Sequence, residues 1–526
     1  MPEHSPASDR GLSTRWLFAA IGMLTLWRLT VAWLMPVTQD EAYYFDWARS
    51  LAWGYFDHPP GVAFFGIGTW LIPSSALAAR LGTVAASALT LVILVRFYRD
   101  CGLRSRADLG LALVLAAATI PGLASGILTT PDAPLALCWA LALHEALAAL
   151  RRDRRRWLGA GLATGLGLLG KYTMVLIGPV FLWAILWADP KALRSPWPYL
   201  GGLLAVLVFA PNLLWNADND WLTMRFQLGH GLSTETGELL ENPLPPPVTD
   251  SPSLPEPEPP MTVAERVGSI AGYFGTQLGL WGLIAIPLLV APFRRNERRD
   301  AAQGTPPIRD SGTRALLVAG SLFPLLFFGL VSSFSEVEPN WPVMYLFCAA
   351  PLAALWLRGM RRWVLTTAAM NLILISLYAV HGATAALPLP DSQNRILRET
   401  HGFKALAEEA AQLEGPIFAD RYQTTAMLRF YAPGLHATQW PGIMRPSEYL
   451  RGKVAPHITL DEIRAAGGFW LVARTGIAPQ LDGFVNTAPA TWFDCKGMDL
   501  VQSESPPCDK PLHRWIFYRY TSRGER

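Results

Sequence analysis

Apolar runs near the ~20 residues an α-helix needs to cross a bilayer recur along most of the chain. They fall at roughly 16–35, 76–97, 109–128, 133–150, 157–170, 174–188, 197–215, 268–292, 314–333, 341–357 and 362–386, which predicts eleven spans. The pattern changes after about residue 388. There "FKALAEEAAQLEG" has helical spacing and ends in Gly, while "PIFAD", "GGFWLVART" and "HRWIFYRY" are short β-type runs. The pattern therefore predicts a polytopic α-helical membrane domain, 1–387, followed by a small α/β domain, 388–526. One stretch, "ENPLPPPVTDSPSLPEPEPP" at 241–260, has too much Pro and too few apolar residues to order itself and reads as an extended or mobile loop.

Composition excludes a soluble enzyme: 51% of the 526 residues are hydrophobic, 16% are charged, and 21 are Trp. The first run lacks a small-residue cleavage pattern, so it reads as a span and not as a signal peptide. Basic residues cluster in alternate loops: Arg96 to Arg106, "RRDRRR" from Arg151, Lys191 with Arg194, "FRRNERRD", and Arg358 with Arg361 and Arg362. Such loops stay on the cytoplasmic side, which puts the N-terminus there as well. The net charge of +3 is thus a topological signature and implies no nucleic-acid partner. The remaining loops and the C-terminal domain are expected on the opposite face. An exported domain permits a disulfide between Cys495 and Cys508, the two of five Cys that lie in it, although sequence alone leaves their distance open.

The loop after the first run, 36–75, carries the densest chemistry, "TQDEAYYFDWARSLAWGYFDHPP". Thr38 and Glu41 match a helix capping box, so Glu41 has a structural task available. Asp40 has none. Tyr43, Tyr44, Trp47, Trp53 and Tyr55 suggest an interfacial helix with its rings at headgroup depth. Pro59 and Pro60 make a stiff corner that presents Asp57 and His58. These two could be plain turn residues; His58, when protonated, could contact a lipid phosphate; or the pair could join a further carboxylate as a divalent-metal site. Asp132 in "TTPDAP" is either a helix cap or a second polar group of the same face, and Lys171 in "GKYT" either snorkels or pairs with a phosphate.

These segments, together with "PNLLWNADNDW" and "PNWPVMYL", resemble in order and spacing the bacterial glycosyltransferase family 39 proteins of the GT-C class. That class includes protein mannosyltransferases and the aminoarabinose transferases of lipid A. The resemblance is dense over 16–386 and weaker beyond, where "ADRYQTTAMLRFYAPG" is similar to a segment such proteins carry. It implies a GT-C fold in a bacterial inner membrane and an inverting transfer from a polyprenyl-phosphate-linked sugar to an acceptor outside the cytoplasm, lipid A or another envelope glycolipid. No cofactor is implied beyond the metal left open above. Asp40, Glu41 and Asp132 then become catalytic candidates. His58, Lys171 and Tyr172 would contact the donor phosphate, and Tyr43, Tyr44, Asp57, Asn340, Arg421 and Tyr422 would line the cavity. The lipid A transferases carry Lys before the paired prolines where this chain has His58, and the Pro-rich loop also departs from the family pattern. Two alternatives remain at this stage. A protein acceptor suits the same fold, and a transporter of lipid-linked saccharide would also have many spans. Sparse charge within the spans and the C-terminal domain argue against the transporter.

Overall fold

The computed structural model describes residues 15–232, 244–247, 261–294, 308–390, 393–474, 476 and 478–522. Up to Thr384 the described residues are helical. Six helices are long and apolar enough to cross a membrane: Arg15–Leu34, Ala76–Asp100, Asp132–Arg151, Trp197–Ala217, Ser311–Val331 and Arg358–Thr384. A seventh span arises if Val263–Gly279 and Gly282–Phe293, bent by 102° at their junction, count together. The chain is an integral membrane protein, but the expected eleven spans are not reached on this criterion. The window 109–128 breaks because Thr119 caps a new short helix, Ile120–Ala124, with Pro121 in its first turn. Trp157–Gly170 has 14 residues, about 21 Å at 1.5 Å per residue, short of the ~30 Å hydrocarbon thickness. Apolar side chains on the bundle's outside, such as Met23, Leu26, Trp33, Leu203, Leu207 and Leu214, are exposed, as suits a lipid-facing surface.

Small residues let these helices approach closely. A Cβ on Gly161 would lie 2.0 Å from the Gly201 carbonyl oxygen, and one on Gly165 2.7 Å from that of Ala205. Any larger side chain would force Trp157–Gly170 and Trp197–Ala217 apart.

The C-terminal domain holds one six-stranded sheet in the order β2-β1-β3-β6-β4-β5. Its strands are β1 (Ile417–Ala419), β2 (Ala437–Gln439), β3 (Phe469–Ala473), β4 (Phe484–Asp494), β5 (Val501–Gln502) and β6 (His513–Ser522). β1 runs parallel to β2 and β3, and the other pairings are antiparallel. Trp440, Phe469 and Tyr520 stack in succession on one face, with centroids 4.6 and 4.9 Å apart. Cys495 and Cys508 form a disulfide.

Two sequence expectations change here. The aromatics after the first span are the core of a domain interface and no lipid-facing belt. Tyr43, Tyr44, Trp47 and Tyr55 are buried, and Trp53 alone of the five is exposed, because the helices Phe403–Ala410 and Tyr422–Tyr431 cover them. Within the Pro-rich stretch, Leu244 is buried against the C-terminal domain and the Pro245 carbonyl accepts a hydrogen bond from Trp440 Nε1 at 3.1 Å. That segment is docked; the rest of 241–260 lies outside the described residues.

Candidate active site

Gly61 and Gly170 meet backbone to backbone, and the Pro134 ring packs on Gly170. A Cβ on Gly61 would come within 2.7 Å of Gly170 Cα, and one on Gly170 within 3.0 Å of Pro134 Cβ. This contact gathers the "DHPPG", "GKYT" and "PDAP" segments at one point. There Lys171 Nζ donates to Asp132 Oδ1 at 2.8 Å, and Asn340 Nδ2 donates to Asp132 Oδ2 at 2.7 Å. Both oxygens of Asp132 are thus engaged.

The helix Gln39–Arg49 begins with the expected capping box: Thr38 Oγ1 accepts from the Glu41 N–H, and Glu41 accepts from the Thr38 N–H. Glu41 has a larger task as well. It binds Arg80 in a two-pronged pair, Nε to Oε1 at 2.8 Å and Nη2 to Oε2 at 2.6 Å, and accepts the Thr129 N–H at 3.0 Å. Burial works to raise the Glu41 pKa, but the Arg80 charge and these hydrogen bonds outweigh it and hold the carboxyl below its ordinary value. Glu41 is therefore a structural anchor, which corrects its candidacy as a catalytic group. Arg80 was missed in the sequence, although an Arg in the span Ala76–Asp100, set apart from Arg96 and Arg99 at its other end, is itself a signal that a partner must exist.

Of Asp40, Glu41, Asp46, Asp57 and Asp132, only Asp40 is exposed. It is nonetheless enclosed by protein mass, with Tyr422, Arg445, Asp57 and Arg395 around it. Enclosure raises its pKa above the usual carboxylate value, while the Tyr422 hydrogen bond and the Arg445 charge pull the other way. Tyr422 Oη donates to Asp40 Oδ1 at 3.1 Å. Its phenol proton is secure, since burial and then Asp40 raise the Tyr422 pKa.

Asp57 is fully engaged. Tyr43 Oη donates to Oδ2 at 2.6 Å and Arg445 Nη1 to Oδ1 at 2.7 Å. Tyr43 in turn accepts the Glu448 N–H at 2.7 Å, so it wires the loop to the C-terminal domain and does not stand open to substrate. The Arg445 guanidinium lies over the Tyr422 ring, 4.3 Å from its centroid. Nothing local in "GIMRPSEYL" announces Arg445; its partners are close only in space.

His58 is half-buried between Asp57 and the Lys171–Asp132 pair, with the Tyr44 ring edge-on at a centroid distance of 6.0 Å. Burial, aided by the charges of Lys171 and Arg445, lowers its pKa to about 4 against the opposing pull of Asp57 and Asp132. The imidazole is neutral near pH 7, which corrects the expectation of a protonated ring. Tyr172 turns away from this point: its hydroxyl donates to Asn212 Oδ1 at 2.9 Å and accepts from Asn216 at 3.2 Å, inside the helix bundle. Arg421 is paired with Asp420 at 3.0 and 3.1 Å. Among the described residues no three His, Cys, Asp or Glu side chains gather as metal ligands. Asp57, with both oxygens engaged, is a poor ligand, so the Asp57–His58 metal option has no donor set to complete it.

Comparison with known proteins agrees with this picture. Residues 57–215 match the profile of the dolichyl-phosphate-mannose-protein mannosyltransferase family. A lipid A galacturonosyltransferase, RgtD, of Rhizobium johnstonii is 30% identical over 212 residues, covering 38% of this chain and 43% of that protein. An undecaprenyl phosphate-α-4-amino-4-deoxy-L-arabinose arabinosyl transferase of Sodalis glossinidius is 31% identical over 179 residues, covering 32% of each. The chain thus spans less than half the length of these curated relatives. The crystal structure of ArnT from Cupriavidus metallidurans bound to undecaprenyl phosphate shares the fold over 96% of this chain and 98% of its own, with a TM-score of 0.57 at 14% identity. With helical bundle, first loop and C-terminal sheet all in place, the chain has the fold of that structure and resembles membrane glycosyltransferases in sequence over part of its length.

Proposed function

We propose that the protein transfers a sugar from a polyprenyl-phosphate donor to a hydroxyl of an envelope glycolipid, with inversion and in a single displacement, at the extracytoplasmic face of a bacterial inner membrane. The observation that carries this reading is Asp40, an exposed carboxylate that shares the neighbours Asp57 and Arg445 with His58, which in turn faces Lys171. The relatives, a lipid A galacturonosyltransferase and an undecaprenyl phosphate-α-4-amino-4-deoxy-L-arabinose arabinosyl transferase, support the donor and acceptor classes.

In this reading Asp40 takes the proton of the acceptor hydroxyl. The acceptor oxygen bonds to the anomeric carbon from the face opposite the phosphate. The bond between that carbon and the phosphate oxygen breaks, and its electron pair leaves with polyprenyl phosphate. A phosphate is a good leaving group without protonation, so fixed donors suffice. Lys171 keeps two N–H groups free of Asp132 for it, and charge-assisted bonds in a water-poor site are worth more than in water. Asp132, engaged by Lys171 and Asn340, positions that cation and is the poorer candidate for the base. The test incubates purified protein with polyprenyl-phospho-sugars and a glycolipid or peptide acceptor and scores released polyprenyl phosphate. Release that requires the glycolipid is expected. Saccharide movement across vesicles with no release would identify a transporter and overturn the proposal.

A further inference from the structure

The Gln227 side chain reaches the corner formed by Asp57 and His58. Its Nε2 donates to the Asp57 backbone carbonyl and lies 3.3 Å from His58 Nδ1. A carbonyl oxygen only accepts, so the amide must present its nitrogen there. The second hydrogen of the same nitrogen is then directed at Nδ1, which must accept it and carries no proton. The proton of a neutral ring therefore sits on Nε2, which meets no protein partner among the described residues. The groups facing the ring are Asp57, Lys171, Asp132 and Arg445, with Tyr44 beside it. Two cations already stand among them, and a third charge would be repelled. We propose that Gln227 is a positioning residue that holds His58 as the neutral Nε2–H imidazole, so that the ring supplies the Asp57–Lys171–Asp132–Arg445 cluster with a hydrogen-bond donor and no charge.

The consequence for donor binding rests on the transferase reading above, whereas the tautomer itself does not. Nitrogen NMR of the full chain, labelled with ¹⁵N-histidine and assigned with His58→Gln, reads it without turnover. Protonated Nε2 and unprotonated Nδ1 are expected throughout about pH 5.5–8, and the ring of Gln227→Leu should exchange tautomers and titrate nearer the ordinary ~6.5. The probe for binding is polyprenyl phosphate. Once the ligand's own second ionisation near pH ~6 is allowed for, wild-type affinity should be flat over the same range, and that of Gln227→Leu several-fold weaker at the alkaline end and pH-dependent. An Nδ1–H tautomer or an imidazolium at neutral pH in the wild type would overturn the assignment. Identical, pH-independent binding by wild type and Gln227→Leu would overturn the positioning role. Failure of the wild type to bind polyprenyl phosphate at all removes the transferase reading, and with it that role, while the tautomer stands or falls on the NMR alone.

Discussion

Asp40 carries one side-chain hydrogen bond, from Tyr422, where Asp57, Asp132 and Glu41 have both oxygens engaged. A base needs an accessible lone pair, and a raised pKa makes it a stronger one. Asp40→Asn should lower turnover by ~10²–10⁴-fold with donor binding nearly intact, measured as initial rates beside polyprenyl-phosphate affinity. The acid limb of the wild-type rate profile should lie above the ordinary carboxylate value of ~3.9, because turnover falls as Asp40 gains its proton. The same shift sets a stability sign. The folded state holds this proton more tightly than the unfolded chain, so stability falls as pH rises through the interval between the two pKa values, and the penalty persists at neutrality. Asp40→Asn should therefore melt no lower than wild type. Glu41→Gln is different. Read as a cap alone, Glu41 would tolerate the change; with Arg80 buried against it, losing the charge strands a guanidinium and should destabilise by ~3–5 kcal/mol, visible as a lower Tm or failed expression.

At the scale of elements, the helix Gln39–Arg49 is held from the C-terminal side as much as by its own cap. Arg429 Nε donates to Asp46 Oδ2 at 2.6 Å and Tyr449 Oη to the same oxygen at 2.9 Å, all three groups being largely buried. Arg429→Met should leave Asp46 with only the more distant Arg49, 3.6 Å away, as counter-charge and loosen this helix, read as faster limited proteolysis between the bundle and the sheet. On the bundle side, Gly61→Ala places a methyl 2.7 Å from the Gly170 backbone, so one segment must move. Transfer should drop about as far as in Lys171→Ala, ~10–100-fold for a charge-assisted contact, although no polar side chain is altered. The capping box and the Pro corner were legible in sequence because both are local. The fate of the aromatics was not, since the same amphipathic run suits a bilayer surface or a protein interface.

At the scale of the whole molecule, a membrane bundle and a sheet domain close on one another around the first loop, and the contacts to Asp40, Asp46 and Asp57 exist only because they do. The sheet's far end is tied by the disulfide Cys495–Cys508, which closes a loop with a sequence separation of 13. Next to it Asp494 joins His401 at 2.6 Å and His513 at 2.7 Å. Replacing both Cys by Ser should lower stability by ~2–4 kcal/mol, with thermal melting as the check, and spare donor binding below the new Tm. Asp40, Lys171 and Arg445 all lie outside that loop.

Period and composition by themselves determined that this chain is a membrane bundle with an appended α/β domain, because burial in lipid demands long apolar helices and alternation demands strands. Motif order singled out Asp40, Asp132 and Lys171. Only tertiary structure decided what each could do. Tyr422 reaches Asp40 across 382 residues and Arg445 reaches Asp57 across 388. It also separated Glu41, consumed by an ion pair, from Asp40, left free one position earlier. The state of His58 is likewise beyond any local pattern. Burial and the neighbouring charges decide it, and those depend on where four distant segments come to rest.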